Sequence, residues 1–174
     1  DYIYKISETG IIGEHPEWSL STEALYAKVS VSKERNEYKT AVSYYSDENC
    51  TTAVETPVIT NTYTAPTEGS AELEIQKAAT ENWTGKIPNY FQFKLEALTE
   101  GAPMPGTTAV TNNGSDVSFG KITGYKEVKD YIYKISETGI IGEHPEWTVS
   151  SDVLYAKVSV RKEGNEYKTK VSYY

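Results

Sequence analysis

The segment DYIYKISETGIIGEHPEW occupies residues 1–18 and recurs unchanged at residues 130–147. The similarity continues through LYAKVSV and NEYKT to VSYY, which ends at Tyr45 in one copy and at Tyr174 in the other. Equivalent residues are therefore 129 positions apart, about the length of one ordinary domain. A period of this length predicts a tandem array of similar domains.

The repeat also predicts how the chain is divided. Residues 1–63 are expected to be the C-terminal part of one repeat, and residues 64–70 a linker rich in turn-forming residues. Residues 71–174 are expected to be the N-terminal and central part of the next repeat, with its closing strand beyond the last residue.

Alternation of apolar and polar residues predicts the secondary structure outward from the repeated segment. In LYAKVSVS at 25–32, Leu, Ala and Val alternate with Tyr, Lys and Ser, which is typical of a half-buried strand. Similar segments follow, separated by clusters of Gly, Pro and Asn, and none shows a sustained helical period. We therefore predict an all-β chain that forms an antiparallel β-sandwich.

Composition and charge exclude several kinds of partner. The chain has 17 basic and 25 acidic residues, a net charge of −8. This balance argues against nucleic acid and against an anionic membrane as partners, because no basic surface is left to neutralise phosphates. Two histidines and the single Cys50 cannot complete a structural zinc site or an internal disulfide, so we expect no metal and no cofactor.

Three strands carry a polar residue on their more apolar face. Lys77 follows Ala71, Leu73 and Ile75; Glu137 follows Tyr131, Tyr133 and Ile135, and Glu8 repeats this position; Asn61 shares a face with Pro57 and Ile59 of the predicted closing strand, PVITNTY. A buried amine, carboxyl or carboxamide is costly without a partner. Each residue alone is equally well explained by a solvated strand end.

If these three residue types meet in one core, they can react with each other. Desolvation favours a neutral amine, which is a nucleophile, and a neutral carboxyl, which can shuttle protons. The product would be an amide between lysine and asparagine side chains, with loss of ammonia. Such a reaction needs no cofactor and occurs once per site, so the protein would not be an enzyme with turnover.

Five segments of the chain resemble the pilin isopeptide linkage domain of Gram-positive, streptococcal-type major pilins and repetitive surface adhesins. They are KAATENWTGKIPNYFQFKLEA (77–97), DVSFGKI (116–122), DYIYKISE (130–137), LYAKVSVRKEGNEYKTKVSYY (154–174) and VITNTY (58–63). The resemblance implies a sandwich of the immunoglobulin-like or collagen-adhesin B type. It also implies that Lys77 donates the amine, that Glu137 and Glu8 are the catalytic acids, and that Asn61 is the acceptor.

The register of the repeat separates these residues into two sets. Lys77 and Glu137 belong to one repeat, whose asparagine would fall at position 190, one period after Asn61. Glu8 and Asn61 belong to the preceding repeat. We therefore expect each bond to join the lysine and asparagine that are proper partners in the repeats of a longer polypeptide, rather than Lys77 to Asn61 within this chain. The alternative is a head-to-tail copy that inserts its Asn61 segment.

The leading hypothesis for function is a structural repeat of an extracellular surface fibre, pilus or adhesin stalk. It would be attached to the cell wall through regions outside this chain. The alternative is a module that binds carbohydrate or a host protein through surface Tyr and Trp side chains, such as Trp18 and Trp147. His15 and His144 are interpreted as turn residues. A hydrolase with paired carboxylates is disfavoured because nothing in the sequence places two carboxylates around a cleft.

Overall fold

The computed structural model describes residues 1–80 and 82–174. Every regular element that these residues form is a β-strand. They fall into two compact units, Asp1–Ala65 and Pro66–Tyr174. The predicted linker, 64–70, contains this division, although its last two residues already belong to a strand. The assignment of the units to parts of whole repeats stays a prediction.

Unit 1 (Asp1–Ala65) is built around one antiparallel sheet. Its strands are β1 (Tyr2–Ser7), β2 (Trp18–Ser19), β3 (Ala24–Glu34), β4 (Glu37–Tyr45), β5 (Ala53–Val54) and β6 (Thr62–Tyr63). The main sheet has the order β1-β3-β4-β5. β2 and β6 form a separate ladder of two residue pairs. This short ladder brings the end of unit 1 back to the turn that follows the repeated segment.

The closing strand predicted over residues 57–63 is wrong for most of its length. Only Thr62–Tyr63 is a strand, and residues 57–61 approach it without regular pairing. Pro57 has no N–H to donate to a ladder, and the partner strand offers only Trp18–Ser19. The backbone of Asn61 is therefore placed just before a short ladder rather than inside a long one.

Unit 2 (Pro66–Tyr174) contains two antiparallel sheets. Its strands are β7 (Gly69–Gln76), β8 (Phe91–Ala97), β9 (Ala109–Thr111), β10 (Asp116–Tyr125), β11 (Asp130–Ile140), β12 (Val153–Glu163) and β13 (Glu166–Tyr173). One sheet has the order β13-β12-β11-β8-β9, and the other pairs β10 with β7. The buried side chains of both sheets form one core. This arrangement is all-β, as predicted, and is consistent with a β-sandwich.

Strand alternation explains which side chains fill the core of unit 2. In β7, Ala71 and Leu73 are buried whereas Glu72 and Glu74 are exposed. In β8, the residues of FQFKLEA alternate in the same way, with Phe91 fully buried. Burial of each large apolar side chain contributes roughly 1.5–3 kcal/mol. The predicted period of two is thus confirmed in both sheets.

Two tyrosine hydroxyls lie inside this core. The hydroxyl oxygens of Tyr125 and Tyr133 are 2.9 Å apart, and the Tyr133 hydroxyl donates to the carbonyl oxygen of Pro103 at 2.7 Å. Both side chains are fully buried. Burial raises the pKa of each hydroxyl above its ordinary value, because a phenolate would have to lose its hydration.

The repeated segment forms the same ladder in both units but has a different environment in each. Tyr2 pairs with Val29, and one period later Tyr131 pairs with Val158. In unit 2 the segment is covered, and Tyr131 is 3% exposed. In unit 1, Tyr2 is 61% exposed. β11 has β8 on its second edge, whereas within residues 1–80 and 82–174 the strand β1 pairs only with β3.

Candidate functional site

Lys77 lies directly after β7, where the apolar face of that strand continues toward the core. Its backbone N–H donates to the carbonyl oxygen of Ser115 at 2.7 Å, which extends the β7–β10 pairing by one residue. Only 11% of its side chain is exposed, and its Nζ lies 2.8 Å from Oε2 of Glu137. The sequence-predicted amine and acid of unit 2 are therefore in direct contact.

Glu137 is the more deeply buried member of this pair. It belongs to β11, opposite Phe93 of β8, and a register shift follows it before Gly139. Its side chain is 2% exposed. Among the described residues, its second oxygen, Oε1, is buried without a hydrogen-bond partner. A buried carboxylate oxygen that accepts no hydrogen bond is costly, and such atoms in native proteins call for an explanation.

An aromatic ring forms the apolar base of the pair. Lys77 Nζ lies 4.5 Å from the centroid of the Phe91 ring, which is a cation–π distance. The start of β8 is held by Asn112, whose Oδ1 accepts from the Phe91 N–H at 2.9 Å. The Asn112 amide nitrogen donates in turn to the carbonyls of Pro88 and Gly114. A fully satisfied buried asparagine thus fixes the ring beneath the amine.

A groove of about 240 Å³ opens beside the pair. Its apolar lining is provided by Ile75, Phe93, Ile135 and Leu154. Ser150 and Asp152, which lie in the loop before β12, also line it. Gln76 and Ser136 complete the polar part of the lining, so the groove gives access to Lys77 and Glu137 between walls of mixed polarity.

Unit 1 contains the other pair of predicted site residues. Asn61 Nδ2 donates to Oε1 of Glu8 at 2.8 Å. Asn61 Oδ1 accepts from the backbone N–H of Ser21 at 3.0 Å. The N–H of Thr60 donates to Oε2 of Glu23 at 3.4 Å. The Asn61 side chain is thus held at both its amide oxygen and its amide nitrogen, and the backbone of Thr60 is held by the Glu23 carboxylate.

The two pairs are related by the repeat. Glu8 is equivalent to Glu137, Ser21 to Ser150, and Glu23 to Asp152. The structure therefore places an acid beside the amine in unit 2 and an acid beside the amide in unit 1. Unit 1 thus holds an acid and an amide, and unit 2 holds an acid and an amine, so each unit has two of the three residue types that the bond requires.

Sequence reasoning missed two contributors to these sites. The Ser21 N–H is a backbone group, and nothing in the residue type signals that it will contact Asn61. Alternation in FQFKLEA predicts that the Phe91 side chain points to the core, but it does not predict which amine lies over the ring. Of the two tryptophans named as candidates for ligand binding, Trp147 lies edge-on against Phe91 at 5.2 Å between centroids, and Trp18 is tilted against Tyr63 at 5.0 Å.

The described residues provide neither a metal site nor a membrane-spanning helix. Across residues 1–80 and 82–174, no group of three or more His, Cys, Asp or Glu side chains could hold a metal ion. The same residues include no helix long and apolar enough to cross a membrane. His144 stacks on Tyr90 with centroids 3.9 Å apart, and its Nδ1 lies 3.3 Å from Glu146.

Comparisons with known proteins give a family for the chain. A family model matches residues 73–173, which are 101 of the 174 residues; it is FctA, a Spy0128-like isopeptide containing domain. Searches of curated proteins and of solved structures found no match. The matched range includes both Lys77 and Glu137, and it confirms the pilin isopeptide resemblance seen in the sequence. The chain therefore belongs to the family of FctA, Spy0128-like isopeptide containing domains.

Proposed function

We propose that this chain is part of a structural repeat of an extracellular surface fibre, pilus or adhesin stalk, closed by autocatalytic Lys–Asn isopeptide bonds. The repeat would be an immunoglobulin-like or collagen-adhesin B-type sandwich of 129 residues. The observation that carries the proposal is the contact of 2.8 Å between Lys77 and the buried Glu137, whose Oε1 has no partner among the described residues. A carboxamide in the groove could supply that partner.

The unit 1 pair supports the same assignment. There Glu8, which is equivalent to Glu137, accepts a hydrogen bond from Asn61 Nδ2. If an asparagine one period later takes the same position in unit 2, its amide nitrogen meets the Glu137 oxygen that Lys77 leaves unoccupied. The amine, the acid and the amide would then be contiguous in this groove.

The reaction follows from this arrangement. The first step is proton transfer from the Lys77 ammonium to Glu137 across their contact of 2.8 Å, which leaves a nucleophilic amine and a carboxylic acid. The amine attacks the side-chain carbonyl carbon of asparagine, and the acid gives its proton to the departing nitrogen. The carboxylate that this leaves takes the proton that the lysine nitrogen must lose. One amide forms and one ammonia leaves. Each site reacts once, so we do not propose an enzyme with turnover.

A bond of this kind suits a mechanical role. It would join the first and last strands of a repeat and close a loop of about 110 residues, which by analogy with disulfides contributes ~4–5 kcal/mol. A pulling force would then pass through the covalent bond rather than through the hydrogen-bonded sheets. The partners would be adjacent repeats of the same polypeptide, and the location would be the cell surface.

The decisive experiment completes the second repeat. Residues 46–65 are appended after Tyr174, which places an asparagine one period after Asn61. The intact mass of this extended chain should be lower by one ammonia. Lys77→Arg and Glu137→Ala should each restore the unmodified mass, whereas Lys134→Arg, on the opposite face of β11, should not. An unmodified mass for the extended chain would refute the proposal.

The alternative partner is a second copy of the chain. If Asn61 of one molecule enters the groove of another, concentrated samples of the unextended chain should form covalent head-to-tail oligomers. These oligomers should survive denaturing electrophoresis, and Lys77→Arg should abolish them. A chain that stays monomeric under denaturing conditions, while the extended chain loses ammonia, would restrict the bond to partners within one polypeptide.

A further inference from the structure

The Asn61 amide in unit 1 has a donor on its oxygen as well as an acceptor on its nitrogen. The Ser21 N–H donates to Oδ1 at 3.0 Å, and Glu8 Oε1 accepts from Nδ2 at 2.8 Å. These partners determine the orientation of the amide. A flipped amide would place its oxygen against a carboxylate oxygen and its NH₂ group against an N–H donor.

This pattern separates the two roles that amide exchange requires. When an amine attacks an amide carbon, negative charge develops on the carbonyl oxygen, and a fixed N–H donor stabilises it. The leaving nitrogen needs a proton, which a carboxyl group can deliver. In unit 1, the Ser21 N–H donates to the first atom at 3.0 Å and has a longer contact, 3.4 Å, with Oε2 of Glu8, whereas Glu8 Oε1 accepts from the second atom.

The local structure keeps the Ser21 N–H available for this contact. Ser21 lies between β2 and β3, outside both ladders. Its Oγ accepts from the Glu23 N–H at 3.2 Å, and this turn holds the loop. The equivalent turn is present in unit 2, where Ser150 Oγ accepts from the Asp152 N–H at 3.1 Å.

Ser150 also lines the groove that contains Lys77 and Glu137. The same loop position is thus beside the acceptor amide in unit 1 and beside the amine and acid in unit 2. We infer that the backbone N–H of Ser150 is the oxyanion donor for the bond made by Lys77, and that the Ser21 N–H has this role for Asn61. This inference rests on the proposed function and assigns a further catalytic group to it.

The step balances with this donor in place. The Lys77 nitrogen forms a bond to the side-chain carbonyl carbon, and the carbonyl π electrons move to its oxygen, which the Ser150 N–H stabilises. Glu137, which has already taken one proton from the Lys77 ammonium, gives that proton to the leaving nitrogen and then takes the remaining proton from the lysine nitrogen. The carbon–nitrogen bond of the carboxamide breaks, the carbonyl re-forms, and ammonia departs. No oxidant, reductant or cofactor takes part.

The test compares two variants of the extended chain that differ in the backbone donor. Ser150→Pro removes the N–H, whereas the matched control, Ser150→Ala, keeps it and removes only the hydroxyl. Each chain is made by cell-free synthesis, aliquots are stopped in denaturant, and the fraction lighter by one ammonia gives the rate. Ser150→Pro should be slower by about 100- to 1000-fold, as for loss of one oxyanion donor. Ser150→Ala should react at close to the unsubstituted rate.

The outcomes distinguish this inference from the proposed function. If the unsubstituted extended chain does not lose ammonia, the proposed function fails. If it does, and Ser150→Pro reacts as fast as Ser150→Ala, the oxyanion assignment is overturned.

A second measurement decides the matter if Ser150→Pro does not fold. In the isotope-labelled crosslinked chain, a scalar coupling through the hydrogen bond should join the Ser150 amide nitrogen to the carbonyl carbon of the new bond. The same coupling should join Ser21 to the Asn61 side-chain carbon in the unextended chain. Absence of both couplings in a folded protein would overturn the inference.

Discussion

Lys77 and Glu137 form a buried ion pair at 2.8 Å through one carboxylate oxygen, and the other oxygen has no hydrogen-bond partner in the described part of the chain. The amine lies over the Phe91 ring, and a groove of mixed polarity leads to the pair. An ion pair of this kind is poorly suited to stabilising a fold, because much of its attraction offsets the loss of hydration. It is well suited to a reaction that consumes the amine and gives the free oxygen a partner.

The first prediction concerns stability when one partner of the pair is removed from the unextended chain. Lys77→Ala should destabilise unit 2 by about 3–5 kcal/mol, because it leaves the Glu137 carboxylate buried and unpaired. The double variant Lys77→Met with Glu137→Leu should be much closer to the unsubstituted chain. Chemical denaturation at neutral pH measures both.

The control for this prediction is an exposed ion pair in the same unit. Lys94 and Glu96 lie 3.0 Å apart at the surface, so Lys94→Ala should change the free energy of unfolding very little. Equal effects of Lys77→Ala and Lys94→Ala would show that the buried carboxylate does not depend on its amine.

The second prediction is a loss of stability at alkaline pH from the Tyr125 and Tyr133 pair. Both hydroxyls have a raised pKa because they are buried, so the folded chain retains their protons at a pH where the unfolded chain releases them. Their contribution is fully present below about pH 10, the ordinary pKa of tyrosine, and decreases as the pH rises above it. Unfolding free energies of unit 2 between neutral pH and strongly alkaline pH should show this decrease.

Phenylalanine variants separate this effect from that of other groups. Tyr125→Phe and Tyr133→Phe should each make the alkaline decrease shallower. Tyr133→Phe should also be less stable at neutral pH, because the Pro103 carbonyl loses its donor. An unchanged alkaline slope in the double variant would assign the effect to other residues.

The third prediction tests the acceptor site of unit 1 with two substitutions of Asn61. Asn61→Ala removes the contacts with Glu8 and Ser21 and should cost about 1 kcal/mol per hydrogen bond lost. Asn61→Asp has nearly the same shape but places a second carboxylate against Glu8. It should be more destabilising than Asn61→Ala at neutral pH, and acid should relieve the difference. Thermal unfolding of unit 1 at neutral and acidic pH is the measurement.

The fourth prediction concerns the exposed face of β1. If residues 66–129 are repeated ahead of residue 1, they should cover Tyr2 and Tyr4 as their equivalents are covered in unit 2. Amide hydrogen exchange in β1 should then become slower by about tenfold or more, because its opening would require loss of the new core. A flexible Gly–Ser segment of the same length is the control and should leave the exchange rate unchanged. Equal exchange in both chains would contradict the prediction.

Much of the fold could be predicted because strand alternation is a local property. The period of two in AELEIQK and YIYKISE correctly placed Lys77 and Glu137 on the faces that point to the core, and the repeat gave Glu8 the position of Glu137 in its own copy. The closing segment was less predictable. Its alternation suggested a long strand, but Pro57 and a two-residue partner limit the ladder to Thr62–Tyr63.

The contacts that give the sites their chemistry depend on the packing of distant segments. The Ser21 N–H reaches Asn61 across 40 residues of chain, and a backbone donor leaves no mark in the residue type. Burial of the repeated segment also depends on distant parts of the chain. Local pattern and backbone pairing make DYIYKIS a strand with the same register in both copies, so amino-acid order alone was enough to specify it. Whether its tyrosines are buried was not encoded there: Tyr131 is covered and Tyr2 is exposed, because burial requires a second sheet supplied from elsewhere in the chain.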